Sequence, residues 1–264
     1  MTAVPETADD CPRCGRPAVI LPDYPSRACT ACALEQWDVL EGKYRQGGYR
    51  GVAAPGKLHV VAGLLPVLLT APKAVRYLRG EAEVKANRWT GSLAEVLAQV
   101  TGFGALTAAG PPRRPHLDVP EPAMTDWLAE HAAAIALIVD ITGLRDRNID
   151  VCLGMGPLPS AGTVEIAGRI QRAFAARGLR VGMNDPFAAL APVTITAHAQ
   201  QQLGLAAIQL GLAAWMRDPV GSPTMAKMSL DVLRDALYPI AQALRATPPQ
   251  APRADTGNTT GRLP

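Results

Sequence analysis

The sequence predicts an α/β fold with a mostly parallel or mixed sheet, helices on both faces and a small cysteine-containing module in front of it. Hydrophobic residues make up 48% of the 264 residues, enough for a sizeable core. After residue 56, apolar runs of strand length alternate with segments of helical periodicity. Such alternation is typical of a sheet that helices cover on both sides. Four of the five cysteines lie within the first 32 residues, which sets that segment apart.

Two CxxC pairs, Cys11-Pro-Arg-Cys14 and Cys29-Thr-Ala-Cys32, define the N-terminal module. A CxxC turn places two sulfurs on one side of a tight knuckle, and two such turns complete a tetrahedron around zinc. Gly15 follows the first pair, where the knuckle often needs a positive φ angle. Four thiolates leave no position for water, so we expect one structural Zn²⁺ per chain, bound in a zinc ribbon. Two redox dithiols are the alternative. They usually stand at the start of a helix in a βαβ unit, a context that we do not expect for either pair.

Composition divides the chain into four segments. The zinc ribbon is predicted at residues 1–41 and is followed by a glycine-rich connector at 42–56. The α/β domain spans 57–246, and within it the five prolines of 111–122 predict a surface loop. Residues 247–264 contain four prolines and few apolar side chains, so we expect a disordered tail.

The elements of the α/β domain follow from the periodicity of its apolar residues. Nearly continuous apolar runs predict buried strands at 67–70, 135–141, 151–154 and 179–183. Helical spacing predicts helices at 91–100, 125–134, 163–177, 197–216 and 229–244. In such folds functional groups collect at the carboxyl ends of strands, here at 70–76, 140–145, 154–156 and 184–187.

Charge and hydropathy restrict the class of protein. Twenty-six basic and 23 acidic residues give a net charge of +3, too near neutral to indicate a polyphosphate partner by composition. The longest apolar stretch, 58–71, is interrupted by Gly63 and Pro66 and is shorter than the roughly 20 residues of a membrane-spanning helix. The first residues carry acidic side chains where a secretory signal has basic and then apolar ones. We therefore expect a soluble, cytoplasmic protein without membrane contact.

The ribbon could contact a partner besides its metal. Residues 1–50 contain six basic and seven acidic side chains, and a zinc tetrathiolate centre adds further negative charge. Such a surface repels phosphate, so a nucleic-acid partner is disfavoured. We expect the aromatic residues of this region to dock on the chain's own body or on a partner protein: Tyr24, Trp37, Tyr44 and Tyr49.

A series of short motifs stands near the predicted strand ends between residues 65 and 219. In order they are Leu69-Thr-Ala-Pro72 with Ala74, Val84-Lys85, Trp89-Thr-Gly91, Asp140 with Gly143, Asp150, Gly154, Asn184-Asp-Pro-Phe187 and Gln209. In these motifs the chain resembles the N-formylglutamate amidohydrolases, zinc hydrolases whose fold is related to that of the zinc carboxypeptidases. The resemblance implies a phosphorylase/hydrolase-like α/β fold with its cleft at the strand ends.

The chain departs from that family at four positions on which the family's chemistry depends. By the resemblance, Lys73 and Thr142 stand where the family has histidine zinc ligands. Asn87 stands at an acidic position, and Gly211 at that of the candidate general base. A catalytic zinc needs about three nitrogen or oxygen ligands and an open water position. Lys73 would instead bring a positive charge into the place of the cation, so we expect a cleft without metal or hydrolytic activity.

The replaced positions still predict a polar cleft. We expect it to contain Lys73, Asn87, Asp140, Thr142, Arg145, Asn184 and Gln209. The Lys73 ammonium would pair with the carboxylate of an acidic small molecule or, equally, with Asp140 as an internal ion pair that replaces the lost zinc charge.

The remaining cysteine and the histidines are not expected to supply a nucleophile, a general base or metal ligands to the cleft. Cys152 is interpreted as a buried, inert thiol, and four histidines as solvated or hydrogen-bonded bystanders: His59, His116, His131 and His198.

Three functions of different classes remain. The favoured one is a degenerate N-formylglutamate amidohydrolase-like domain, fused to the zinc ribbon, with a non-catalytic binding, scaffolding or regulatory role. The alternative is an active amidohydrolase acting on a small N-acyl or N-formyl amino acid, through ligands aligned differently or through Lys73 and Cys152. The third is a nucleic-acid adaptor that binds through the ribbon. The favoured function predicts one zinc per chain, held by Cys11, Cys14, Cys29 and Cys32.

Overall fold

The structure is a computed structural model that describes residues 8–11, 14–15, 17–19, 29–79, 82–111, 121–145 and 148–246. The predicted tail at 247–264, most of the proline-rich loop at 111–122, Tyr24 and His116 lie outside the described residues. No helix within the described ranges has both the length and the apolar character needed to cross a membrane.

A seven-stranded mixed sheet forms the centre of the protein, which confirms the predicted fold class. The described strands are β1 (Ala8–Asp10), β2 (Pro17–Val19), β3 (Leu58–Val61), β4 (Val67–Ala71), β5 (Tyr77–Arg79), β6 (Ala82–Val84), β7 (Gly104–Ala108), β8 (Leu137–Leu144), β9 (Val151–Gly154), β10 (Val181–Met183) and β11 (Ala206–Ala213). The order in the central sheet is β10-β9-β11-β8-β4-β7-β3. Strands β7, β4, β8 and β11 run parallel, whereas β3 and β9 run antiparallel to their neighbours β7 and β11. The remaining strands form two small antiparallel pairs, β1 with β2 and β5 with β6.

Helices cover both faces of the sheet. They are α1 (Thr30–Arg45), α2 (Thr90–Thr101), α3 (Pro122–His131), α4 (Ala161–Ala175), α5 (Ile195–Gln202) and α6 (Pro223–Ala246). Successive side chains of a strand point to opposite faces. Leu69 and Val139 belong to one core cluster with residues of α1, α2, α4 and α6. Leu68 and Ile138 belong to a second cluster with residues of α3 and α5.

Strand β11 corrects one element of the sequence prediction. A single helix at 197–216 is wrong, because α5 ends at Gln202 and β11 then enters the sheet between β8 and β9. This strand is buried along almost all of its length, so it lacks the apolar–polar alternation of a half-exposed strand. A short, continuously apolar run does not distinguish a strand from a buried helix. The periodicity also fails to predict β3 and β7, which extend the sheet beyond β4.

Helix α1 connects the cysteine module to the α/β domain. It begins directly after Cys29 and continues through the boundary predicted between residues 41 and 42. Trp37 is fully buried, and its Nε1 donates to Ser92 Oγ of α2 at 2.9 Å. The buried Tyr44 hydroxyl lies 2.7 Å from the hydroxyl of Thr107 in β7. These aromatic side chains therefore dock on the chain's own body, and contact between the ribbon and a partner protein stays a prediction.

Candidate metal centre and candidate ligand cleft

The four N-terminal cysteines converge on one point. Their sulfur atoms all lie within 4.8 Å of one another, with Cys11 Sγ 3.9 Å from Cys32 Sγ and Cys14 Sγ 3.7 Å from Cys29 Sγ. In a tetrahedral zinc site, Zn–S bonds of about 2.3 Å place the sulfurs about 3.8 Å apart. These contacts join cysteines of different CxxC pairs, as a shared metal requires and two separate dithiols do not. The donor set and its spacing therefore fit a closed zinc centre.

Backbone geometry holds the two knuckles in place. The N–H groups of Cys14 and Gly15 donate to the Cys11 carbonyl at 3.2 and 2.7 Å, and Gly15 has a φ of +65°, as expected. Cys29 caps α1, because its Sγ accepts from the N–H of Cys32 at 3.4 Å. The second pair thus does stand at a helix start, contrary to our expectation. It is part of a four-sulfur cluster and not of an isolated dithiol.

Without a metal ion, the cluster favours the neutral thiol form. Burial, followed by the neighbouring sulfurs, raises the pKa of the Cys32 thiol to about 12. Four thiolates would repel one another at this distance unless a cation compensated them. Coordination to zinc deprotonates thiols and, when the ion is bound, would cross-link the two knuckles to the start of α1.

The candidate ligand cleft lies at the carboxyl-end side of the central strands. A cavity of about 790 Å³ opens there. Five of the seven predicted residues line it: Lys73, Asn87, Thr142, Arg145 and Gln209. Lys73 follows β4, Thr142 belongs to β8 and Gln209 to β11. Asn87 reaches the same cavity from the loop between β6 and α2.

Asn87 contacts both Lys73 and Thr142. Its Nδ2 donates to Thr142 Oγ1 at 2.9 Å, and its backbone N–H donates to the Lys73 carbonyl at 2.8 Å. The Lys73 ammonium lies 5.8 Å from the centroid of the Tyr77 ring. Within the described part of the chain, no histidine, cysteine, aspartate or glutamate lines this cavity. Since zinc is held by those residue types, the lining does not fit a catalytic zinc ion.

Asp140 and Asn184 are the two predicted residues that are not part of the cavity lining. Asp140 is buried, and its carboxylate accepts from Thr70 Oγ1 at 3.1 Å and from Gln209 Nε2 at 2.8 Å. Burial raises the pKa of Asp140, and the bond from Gln209 and the charge of Lys73 oppose that rise. Asn184 lies after β10, where its Oδ1 accepts from the N–H of Met155 at 2.8 Å. Asp140 thus orients the Gln209 side chain through a buried hydrogen bond, and Asn184 supports the loop that follows β9.

Phe187 occupies the space of the expected general base. Gly211 and Gln209 lie two positions apart in β11 and share one face of the strand. A Cβ atom at position 211 would lie 2.3 Å from Cζ of the Phe187 ring, which also lines the cavity. An acidic side chain at this position would require the ring to move. The sequence marks Gly211 and Phe187 in separate motifs, and only the fold shows that these residues are in contact.

Among the described residues, neither Cys152 nor any histidine lines the cleft. Cys152 is fully buried, and its thiol donates to the carbonyls of Asp185 and Phe187 at 3.3 and 3.4 Å. Donation to carbonyl oxygens stabilises the thiol and not the thiolate. His59 lies edge-on to Tyr44, and the His131 ring stacks on Trp127 with centroids 4.0 Å apart. His198 lies in α5 and does not line the cavity.

A second cavity of about 970 Å³ adjoins the first and shares Val84, Asn87 and Arg145 with it. Five basic residues line this second cavity, which we call the basic cavity: Arg76, Lys85, Arg88, Arg145 and Arg217. Glu83 and Asp218 are the acidic residues of the described lining. The sequence analysis missed Arg217, which is only 6% exposed, and no motif marks it.

Comparisons with known proteins found similarity to solved structures only. No protein-family model matches the sequence, and no curated protein matches it. Among solved structures, a bacteriophage poly-gamma-glutamate hydrolase is 14% identical with a TM-score of 0.48, covering 72% of this chain and 89% of the other. An N-formylglutamate amidohydrolase from Ralstonia eutropha JMP134 is 15% identical with a TM-score of 0.45, covering 74% and 99%. A metallo-carboxypeptidase from Burkholderia cenocepacia is 14% identical with a TM-score of 0.45, covering 79% and 69%.

The three structures are a poly-gamma-glutamate hydrolase, an N-formylglutamate amidohydrolase and a metallo-carboxypeptidase, and each has a TM-score below 0.5. Identities near 15% concern the fold alone, so they carry no statement about activity, metal or substrate here.

Proposed function

We propose that this protein is a zinc-stabilised, non-hydrolytic binding protein whose cleft takes a small acidic molecule. The observation that carries the proposal is the composition of the cleft. Its described lining contains no histidine, cysteine or carboxylate, and the Phe187 ring fills the space beside Gly211. Amide hydrolysis needs an activated water, produced either by a metal ion or by a general base. The described lining residues supply neither.

Lys73 is suited to attract an anion and unsuited to act as a base. A lysine becomes a base at neutral pH only when its surroundings disfavour the charged form. Here the Tyr77 ring lies 5.8 Å from the ammonium, and a cation over an aromatic face is stabilised. The carboxylate of Asp140 lies close enough that the charge of Lys73 affects its pKa. Both neighbours favour the ammonium, which would attract a ligand carboxylate.

The other lining groups indicate which further chemical groups a ligand of this cleft would carry. Asn87, Thr142 and Gln209 contribute neutral amide and hydroxyl groups to the lining of the cavity. The lining also contains apolar residues after β10: Pro186, Phe187, Leu190 and Val193. A small molecule with a carboxylate, an amide and a short apolar part would satisfy both kinds of group. N-acyl amino acids belong to this chemical class.

The first test is the zinc content of the purified protein, measured by inductively coupled plasma mass spectrometry. We expect one zinc per chain in the wild type and none in the double variant Cys11→Ser/Cys14→Ser. Cys152→Ser is the matched control, because Cys152 lies outside the cluster, and it should keep one zinc. A second zinc that survives in the double variant would contradict the proposal, since it would require ligands elsewhere.

The second test is calorimetric titration with N-formyl-L-glutamate, together with an assay for released formate. The glutamate derivative is a suitable probe because the neighbouring structures include a poly-gamma-glutamate hydrolase and an N-formylglutamate amidohydrolase. We expect binding without formate, weakened about tenfold or more in Lys73→Gln by loss of the charged contact. Lys57→Gln is the control, since Lys57 is exposed and does not line the cleft. Formate release that a chelator abolishes, or equal binding by both variants, would refute the proposal.

A further inference from the structure

The guanidinium of Arg217 is buried at the wall of the basic cavity with part of its hydrogen-bonding capacity unused. Arg217 follows β11 and is 6% exposed. Its Nε donates to the Leu212 carbonyl at 3.2 Å, whereas its Nη1 has no hydrogen-bond partner among the described residues. Burial lowers the pKa of Arg217 to about 10, so the side chain is still charged at neutral pH. A buried charge with an unpaired donor is costly, and because Nη1 is itself shielded from solvent, an oxyanion can pair with it only after a small shift of the side chain.

The surroundings of Arg217 explain how the guanidinium is held at the cavity wall. A Cβ atom at Gly143 would lie 2.7 Å from Arg217 Nη2 and 3.0 Å from Asn87 Cγ. The absence of a side chain at position 143 thus lets the guanidinium reach the boundary that Asn87 shares between the two cavities. Any larger residue at 143 would displace it.

Acidic residues lie close to Arg217, because the charges of Glu41 and Asp218 oppose the lowering of its pKa by burial. In the lining, Glu83 forms ion pairs with Arg76 and Arg50 at 3.0 and 3.5 Å. Asp218 Oδ1 also accepts from the backbone N–H groups of Val220 and Gly221 at 3.1 and 2.8 Å. The described lining still has more basic than acidic residues.

We propose that the basic cavity binds an oxyanion of a small molecule, a phosphate or a carboxylate group, with the guanidinium of Arg217 as its buried anchor. The planar fork of an arginine matches both oxyanions and can donate two parallel hydrogen bonds to either. Arg88 and Lys85 line the cavity as exposed cations and would add long-range attraction. Binding here is independent of Lys73, which lines only the neighbouring cleft.

Titration calorimetry of the full-length, zinc-loaded protein at pH 7 and low ionic strength tests this site. The probes are inorganic phosphate and glutarate, each titrated into the wild type and into Lys73→Gln, and the probe that binds Lys73→Gln more tightly identifies the class of oxyanion at this site. Arg217→Lys keeps the positive charge but removes the fork, so we expect binding of the preferred probe to weaken about tenfold or more. Arg177→Gln removes an exposed arginine that does not line the cavity and should leave binding unchanged.

Two further variants complete the test. Arg88→Gln changes an exposed lining residue and is expected to fold normally, so it decides the outcome if Arg217→Lys does not fold. Binding to it should be weaker by about two- to threefold, the effect of one solvated charge. Lys73→Gln should leave phosphate binding unchanged. The proposal is overturned if neither probe binds the wild type at about 20 mM. It is also overturned if Arg217→Lys and Arg88→Gln both bind the probe like the wild type, or if Lys73→Gln abolishes the binding.

Discussion

Removing the carboxylate of Glu41 should destabilise the protein strongly, because that group connects α1 to the α/β domain. Glu41 is 1% exposed and accepts three hydrogen bonds. The donors are the Tyr49 hydroxyl at 2.8 Å, the Trp89 backbone N–H at 2.8 Å and the Ser92 hydroxyl at 2.6 Å. All three donors lie in other elements than α1, so the carboxylate fixes the position of the helix on the domain.

The expected loss follows from these three donors. Each buried donor that loses its partner costs about 1–3 kcal/mol, which gives about 3–9 kcal/mol for Glu41→Ala. Water entering the vacated space would satisfy some of the donors, so we expect about 3–5 kcal/mol. Glu41→Gln keeps an acceptor for Tyr49 and Trp89, and Ser92 can accept from the new amide. Burial also raises the pKa of Glu41, so the neutral amide avoids the desolvation of the ionised group. We expect about 1–2 kcal/mol for this variant.

Urea denaturation of the zinc-loaded protein, followed by circular dichroism, measures both free energies of unfolding. Glu35→Ala is the matched control, since Glu35 is an exposed glutamate of the same helix, and its effect should stay within about 0.5 kcal/mol. If Glu41→Ala loses less than about 1 kcal/mol, the buried network does not hold α1, and the account of its docking is refuted.

Two other perturbations have outcomes set by the structure. Gly91→Ala should lower the free energy of unfolding by about 1–3 kcal/mol, because the added Cβ would lie 2.5 Å from Tyr44 Cζ. Gly162→Ala in α4 is the control, because its added Cβ would meet nothing closer than 3.8 Å, and it should be neutral or stabilise the protein by up to about 1 kcal/mol. If the two variants unfold at similar urea concentrations, the close contact of α1 with α2 is contradicted. Burial lowers the pKa of His198 in the native state. As the pH falls below about 6.5, the ordinary pKa of histidine, this side chain therefore takes up a proton in the unfolded state first, which favours unfolding. Stability should therefore fall more steeply below that pH in the wild type than in His198→Asn, and parallel curves of unfolding free energy against pH would refute this assignment.

The parts of the site that could be predicted depend on short-range spacing or on a simple rule of the fold. The separation of the two CxxC pairs predicts a four-sulfur cluster whatever the rest of the chain does, and the cluster is present. The rule that side chains gather at strand ends brings Lys73 and Thr142 to one cavity. Neither inference needs the details of packing.

The parts that could not be predicted depend on contacts between segments far apart in the chain. Phe187 precedes Gly211 by more than twenty residues, and only the pairing of β9 with β11 brings the ring over the glycine. Arg217 is an ordinary arginine in the sequence, and its burial beside Gly143 follows from the position of the segment after β11. Strand β11 itself was predicted as helix, so its neighbours could not be placed.

The row of hydrogen bonds across the central strands gives two of the sequence-motif residues a structural role. Thr70 of β4, Asp140 of β8 and Gln209 of β11 occupy paired positions in three adjacent strands. Both oxygens of the buried Asp140 carboxylate depend on this row, and each one left unpaired would cost about 1–3 kcal/mol. Asp140 and Gln209 are therefore required by the stability of the sheet, whether or not the protein hydrolyses anything. Lys73 and Thr142 line an open cavity instead, where a change of residue type alters the chemistry and leaves the core intact.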